Sequence, residues 1–313
     1  MRYIKFVLAL VLLNGLFLAQ VRAETNVSET EEVKPAEVPK GSFSDLRVEA
    51  VPVKVQKVID PLVFLGDDGA LYEFVGLDIP PGDEIIEEAT KTMKSLLTGK
   101  ELRLFLTKSK DLGRMTRTGH KLIHAEVRPD DIWVQGKLLA EGLARVRVVT
   151  SNPEMVKQML AIEDKARSEK RGLWADPRFA VFSPDAARSK INSFQIVEGE
   201  VYSVSTRDNE MFVNFDTDWK KDFSIGIPQP TRRELSKLFI NPMMLTHKKI
   251  RVRGWLEDRN GPFITLDHPL QLEMLEGGTS LSLQAPEETP KLKTLRKPKK
   301  PQAPKKASLK LNE

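Results

Sequence analysis

The sequence predicts a mainly β chain with helices, arranged as two small barrels in tandem. Two observations carry that expectation. Short apolar-alternating runs occur in two sets, each set broken by a helical stretch, and both ends of the chain shift to Pro-, Glu- or Lys-rich composition without a period. At 313 residues the chain has room for roughly two ordinary domains.

In the first set, Val53 to Val58 alternates as a half-buried strand should. Val63-Phe64-Leu65 and Ala70 to Leu77 flank Gly66-Asp67-Asp68-Gly69, an Asp/Gly cluster that reads as a hairpin turn rather than an acidic metal loop. Asp83 to Leu97 fits a helix, with Ala89, Met93, Leu96 and Leu97 near one face and Gly99 as its stop. Strands are expected at Glu101 to Thr107 and His120 to Val127. Asp130-Asp131 can cap a helix at Ile132 to Glu141, ended by Gly142. Asn152-Pro153 opens a long helix through Lys170, whose Met155/Met159/Ile162/Ala166 stripe reads as core packing.

The second set gives strands at Val197 to Val204, Met211 to Phe215 and Phe223 to Ile227. A short helix at Thr231 to Phe239 follows, then extended runs at Ile250 to Leu256, Phe263 to Leu266 and Leu270 to Leu275. Three strands, a helix and two further strands is the order of an OB-fold.

The ends carry most of the charge. The whole chain is +5, with pI near 9.2, but residues 1–23 hold +3, residues 24–42 hold −3 and the tail from Ala285 holds +6. Residues 43–284 are left near −1, so the basic balance belongs to the ends. Arg2 and Lys5 precede the apolar run Phe6 to Ala19, and Val21-Arg22-Ala23 ends in a small residue, the pattern of an export signal. An uncleaved anchor is the alternative reading. The expected division is a signal peptide at 1–23, a disordered acidic linker at 24–46, a first domain at 47–181, a linker at 182–193, a second domain at 194–277 and a disordered Pro/Lys-rich basic tail at 278–313. The absence of Cys excludes disulfides, Cys-ligated zinc, iron–sulfur clusters and a thiol nucleophile.

Val58-Ile59-Asp60, Gly76-Leu77-Asp78-Ile79-Pro80, the run Leu138 to Val146 and Arg171-Gly172-Leu173-Trp174, in that element order, resemble the staphylococcal nuclease (SNase) family over about Val51 to Asp176. The resemblance implies a five-stranded OB-type barrel with packed helices. It also implies one calcium ion held by two aspartates and a carbonyl, a glutamate base, and two arginines clamping the transition state. Position by position the match fails. The second ligand aspartate is Leu62, the first clamp arginine is Glu73, the base is Pro81 and the second arginine is His120; Asp78 alone keeps its type. No arginine occurs in residues 48–102, so no shift of register restores the first clamp. Asp78 and His120 are therefore the family-position candidates, and Asp78 is a metal-ligand remnant.

Val197-Glu198-Gly199-Glu200-Val201, Ile250 to Trp255, Gly261 to Leu266 and Asn214-Phe215-Asp216 with Asp218 to Phe223 look like the C-terminal module of two-domain bacterial thermonuclease-like proteins. OB-folds bind single strands with cations and stacking aromatics. The nucleic-acid candidates are Phe212, Trp219, Lys220, Lys221, Arg251 and Arg253, joined by Arg114 and Arg117 from a loop of the first domain.

The favoured expectation is an exported, periplasmic or secreted, catalytically inactive binding or scaffolding protein without a cofactor. The alternatives are a divergent periplasmic nuclease or phosphodiesterase using calcium, and an envelope-associated protein held by its basic tail. The tail can meet nucleic acid or an anionic envelope polymer. A protein partner is left open, and after signal cleavage no integral membrane protein is expected.

Overall fold

The computed structural model describes residues 36–37, 39–109, 113–218 and 223–275. The expected signal peptide and basic tail, most of the acidic linker, and Trp219, Lys220 and Lys221 lie outside the described residues. From Glu37 onward the described residues form one compact unit.

The first module begins with a two-residue strand β1 (Arg47–Val48), then β2 (Val53–Asp60), β3 (Val63–Gly66) and β4 (Leu71–Phe74). Next come β5 (Leu77–Asp78), helix α1 (Asp83–Leu97), β6 (Glu101–Leu106) and β7 (Lys121–Val127). β8 (Ile132–Trp133), α2 (Val134–Ala140), β9 (Arg145–Val146) and α3 (Val156–Ser168) complete it. Strands β2, β3, β4, β7 and β6 pair in that order, and β6 returns to β2, which closes a five-stranded barrel. β4 and β7 run parallel; the other pairs are antiparallel. Closure removes free edges, the usual solution for small β proteins.

The interior follows from side-chain alternation. Leu102, Leu104 and Leu106 of β6 share one face, as do Ile123, Ala125 and Val127 of β7. β2 would lose its inward face after Val55, but the register shifts between Val55 and Lys57 and so returns Val58 to the core. On α1, Ala89, Met93 and Leu97 recur every fourth position and are fully buried.

Gly142 ends α2 with a positive φ of 68°, and Gly172 has φ 50°. A Cβ on Gly142 would sit 2.2 Å from the Arg171 oxygen, and one on Gly172 would sit 2.4 Å from the Gly142 oxygen. The two motifs that carried the family resemblance therefore pack backbone against backbone, and only glycine permits it.

The second module comprises β10 (Ser193–Glu200), β11 (Ser203–Arg207), β12 (Glu210–Asn214), β13 (Ser224–Ile227), β14 (Lys249–Asp258), β15 (Pro262–Thr265) and β16 (Leu272–Met274). Helix α4 (Pro184–Ala187) precedes it, and α5 (Gln229–Lys237) falls between β13 and β14. β11 pairs β12, β12 pairs β13, β13 pairs β15 in parallel, β15 pairs β14 and β14 pairs β10. β10 and β11 are halves of one bent strand, so this ladder repeats the strand order of the first barrel, including its single parallel pair.

Several expectations change. Ile132 and Trp133 are a strand on β7, not helix, because buried Trp133 pairs with Glu126; Asp131 turns left-handed (φ 52°) and accepts from Arg128 instead of capping. The strand expected at Val197 to Val204 breaks at Val201-Tyr202, where Val201 N bonds the Lys248 oxygen and Tyr202 N bonds the Asn214 oxygen. Segment 182–193 is not a bare connection: Phe182 bridges Val197, and Ala187 enters the second core.

The modules meet through a small apolar cluster of Ala166, Leu173, Trp174, Phe179 and Ile196, and through charged side chains. Arg253 on β14 is fully buried. Its Nη1 donates to the Val146 carbonyl and to Glu163 Oε1, both at 3.1 Å, and its Nη2 donates to Glu273 Oε1 at 2.8 Å. Glu163 Oε2 lies 2.8 Å from Nη2 at an angle too bent for a hydrogen bond, so that contact is Coulombic. Beside it Arg251 reaches Glu198 at 2.9 Å, Glu273 at 3.3 Å and Asp164 at 3.5 Å. Burial alone would push the Arg253 pKa down, but the attraction of Glu163 and Glu273 outweighs it and holds the guanidinium charged.

Candidate functional site

The nuclease-type positions lie around the β2 end, β4, β5 and the start of β7. Asp60 closes β2, and its Oδ1 accepts from the Leu62 amide at 2.7 Å, which fixes the turn. Leu62 packs against the barrel core, placing hydrocarbon where the resemblance requires a ligand oxygen.

Parallel pairing sets Tyr72 beside Lys121 and Glu73 beside Leu122. That register brings together two residues 47 apart: His120 Nδ1 lies 3.0 Å from Glu73 Oε2, with the ring N–H donating. The two positions at which the family would hold clamp arginines satisfy each other as a His–carboxylate pair. Such a pair presents no unsatisfied positive fork to a phosphate.

Asp78 is paired across β5 and β9 with Arg145. Arg145 is 2% exposed; its Nε and Nη2 both donate to Asp78 Oδ2, at 3.0 and 2.7 Å. The same Nη2 donates to the Phe194 carbonyl at 3.0 Å, near the start of β10 in the second module. A cation is thus already seated on the remaining family carboxylate, and it is tied to β10. Pro81 is exposed and has no proton to accept or give. Glu84, three residues further along the chain, is exposed at the start of α1 and sits 3.4 Å from Arg178.

Calcium needs about six to eight oxygens. Here one expected oxygen is a leucine side chain and the remaining carboxylate is chelated by a guanidinium. Among the described residues no group of three or more His, Asp or Glu is gathered for a metal. The residues do not fit calcium.

The other sequence candidates separate. Arg117 is exposed on the turn before β7, and Arg114 is half-buried beside a cavity at the barrel mouth. Asp68 accepts from the Ala70 amide, the Tyr72 hydroxyl and Lys121 Nζ, so the Asp/Gly cluster is turn chemistry. Phe212 lies on an open cleft of the second module between the Arg207–Glu210 turn and the Asp258–Gly261 turn. Its ring is 6.3 Å from Phe263, and Arg259 lies over both rings while gripping Glu210 at 2.8 and 3.1 Å.

Arg251 and Arg253 do share a strand face, but it is the face that packs on α3 of the first module, not an open groove. Full burial of Arg253 removes it from any nucleic-acid interface. Sequence reasoning missed Arg145, Glu163 and Glu273. Glu163 offered a signal: it lies four residues beyond Met159, on the buried stripe of its helix, and a carboxylate there requires a cationic partner.

The fold and these positions define an OB-type barrel of the nuclease kind, joined to a second barrel of the same strand order. Residues 75–176 match the family model described as Staphylococcal nuclease homologue, so the chain carries an SNase-homologue domain followed by a second β-domain. The matched stretch contains Asp78, Pro81 and His120, while Leu62 and Glu73 precede it. No curated protein matches the chain.

Proposed function

We propose that this chain is an exported binding or scaffolding protein on a nuclease-type frame, without phosphodiesterase chemistry and without a cofactor. One observation carries the reading: the surviving carboxylate Asp78 is held by Arg145, while Glu73 and His120 pair with each other. A nuclease of this kind needs cations facing the phosphate and a free base facing water. Losing one transition-state donor costs roughly 10²–10³ in rate, and here both arginines, the base and one ligand are replaced. Export is supported by Arg2 and Lys5 ahead of the Phe6–Ala19 run and by the small residue Ala23. The Lys-rich segment 278–313 supplies a salt-sensitive contact for anionic polymer, nucleic acid included.

The test is a calcium-supplemented digest of single-stranded DNA, duplex DNA and RNA by purified residues 24–313. No cleavage is expected. Cleavage that disappears in Asp78→Ala or His120→Ala overturns the reading and establishes a divergent nuclease.

A further inference from the structure

A cavity lies at one mouth of the closed first barrel, beside the connection from β1 to β2. β1 pairs with the far end of β6 and β2 with its near end; between them Glu49 N donates to the Leu104 carbonyl at 2.9 Å, and Val51 and Pro52 are exposed. The cavity measures about 620 Å³, a volume within the range of small-molecule sites. It is independent of the nuclease-type positions and goes beyond the function proposed above.

Its floor is apolar: Val53, Leu104, Leu106 and Ile123, with Met115 at the lip. The charges at its rim mostly satisfy one another. Lys121 Nζ donates to Asp68 and to the Tyr72 hydroxyl, at 3.1 and 3.0 Å, and Arg47 pairs with Glu49. Asp67 Oδ1 accepts from the Lys54 amide at 3.1 Å. Arg114 differs. Among the described residues its side chain makes no ion pair, and its Nε is buried without a hydrogen-bond partner. Leaving a charged donor in that state is costly unless an acceptor arrives.

We propose that this cavity binds a small amphipathic monoanion, an acyl-chain carboxylate, with the chain on the Leu104/Leu106/Ile123 floor and the carboxylate on Arg114. Three features select this class. The backbone around the floor is already paired: Leu106 with Arg47, Leu104 with Ala125, and the Ile123 carbonyl with Val75 N. An incoming peptide would find no ladder to join and would bury unpaired amides, whereas a hydrocarbon has none. Among the described residues at the cavity the one aromatic ring, Tyr72, is covered by Lys121 Nζ 4.7 Å from its centroid, which removes a stacking platform for a base. With the other rim cations neutralised, one guanidinium suits a single negative charge better than the dianion of a phosphomonoester.

The experiment is calorimetric titration of purified residues 24–313 with decanoate, below its aggregation threshold, and with uncharged decanamide. Wild type should bind decanoate more tightly than decanamide. Arg114→Met should weaken decanoate roughly tenfold or more and leave decanamide unchanged, the size expected for one charge-assisted contact. Arg117→Ala, on the neighbouring exposed position, should change neither. Leu106→Trp, checked for folding by circular dichroism, should remove both. The proposal is overturned if wild type fails to bind decanoate, if Arg114→Met binds it as well as wild type does, or if a peptide ending in leucine displaces decanoate at lower concentration.

Discussion

Replacing Arg253 by Met should destabilise the protein through charge, not volume. The side chain is fully buried, and its removal leaves Glu163, itself 0% exposed, without its main cation. Glu163 keeps the Val146 amide at 2.7 Å and a distant Arg167 at 3.7 Å; Glu273 keeps Arg251 at 3.3 Å. Removing one partner of a buried pair costs about 3–5 kcal/mol. The surviving Arg167 and Arg251 argue for the lower half of that range. For a cooperative unit of this size, about 2–4 °C is lost per kcal/mol, which gives a fall in Tm of roughly 6–16 °C. Thermal unfolding followed by tryptophan fluorescence measures it, since Trp133 reports on the first module, Trp174 on the junction and Trp255 on the second module. Wild type should unfold in one transition. The variant should split into two, because Arg253 on β14 also binds the Val146 carbonyl on β9. The triple change Glu163→Leu, Arg253→Met, Glu273→Leu should recover part of the loss, because a buried ionic group can be exchanged for apolar residues nearly without cost. A shift below about 3 °C in Arg253→Met, or a triple variant weaker than the single, would show that the charges do not act as this geometry requires.

Other outcomes follow from the same structure. Gly172→Ala should cost at least ~2 kcal/mol in urea unfolding, since it combines a left-handed φ with a carbonyl contact that cannot yield; a change under 0.5 kcal/mol, on the order of an ordinary surface substitution, would contradict the backbone packing of Gly142 on Gly172. His124 is fully buried with neither ring nitrogen bonded, and burial lowers its pKa from 6.5 to about 3. The unfolded chain therefore takes up this proton below pH 6.5 while the folded one does not, so stability should fall by about 1.4 kcal/mol per pH unit from there toward pH 3. His124→Leu should flatten that slope in urea titrations at stepped pH, and an unchanged slope would assign the acid sensitivity elsewhere. Leu62→Asp restores a family ligand type but should still bind no calcium at millimolar concentration by calorimetry, since Arg145 continues to neutralise Asp78; binding would refute the role given to Arg145.

The barrel was legible where the physics is local. Alternation located β6, the four-residue recurrence of Ala89, Met93 and Leu97 located α1, and the Asp67–Gly69 cluster located the β3–β4 hairpin. The two-residue strands β1, β5 and β9 were not, because two residues carry no period; they exist through pairing with distant partners. At the site, the losses at Leu62, Glu73, Pro81 and His120 could be read position by position. Their consequence could not, because the Glu73–His120 pair and the Asp78–Arg145 chelate join residues 47 and 67 apart through sheet register. Arg251 and Arg253 show the limit most clearly: alternation gives the shared face, and only tertiary packing decides that the face meets α3 rather than solvent. The cavity has no local signature, since its lining comes from β1, β2, β4, β6, β7 and the loops between them.

Arg145 links the remaining family carboxylate, Asp78, to the second module. A carboxylate largely withdrawn from water, as Asp78 is at 17% side-chain exposure, costs free energy unless a cation or other donors meet it. In a calcium nuclease that cation is exchangeable, and it must be, because it also meets the phosphate. Arg145 supplies a permanent charge, held in the chain by β9 and unable to leave when substrate arrives. Its remaining donors then have to be satisfied, and Nη2 finds the Phe194 carbonyl of the second module. Once that bond exists, freeing Asp78 for a metal would also leave a buried guanidinium short of a partner at the junction. Restoring nuclease chemistry therefore requires more than the absent ligand, base and clamps: it requires dismantling a contact that joins the two barrels. On the function proposed above, the residue that occupies the remaining family carboxylate is also the one that ties β5 to β10.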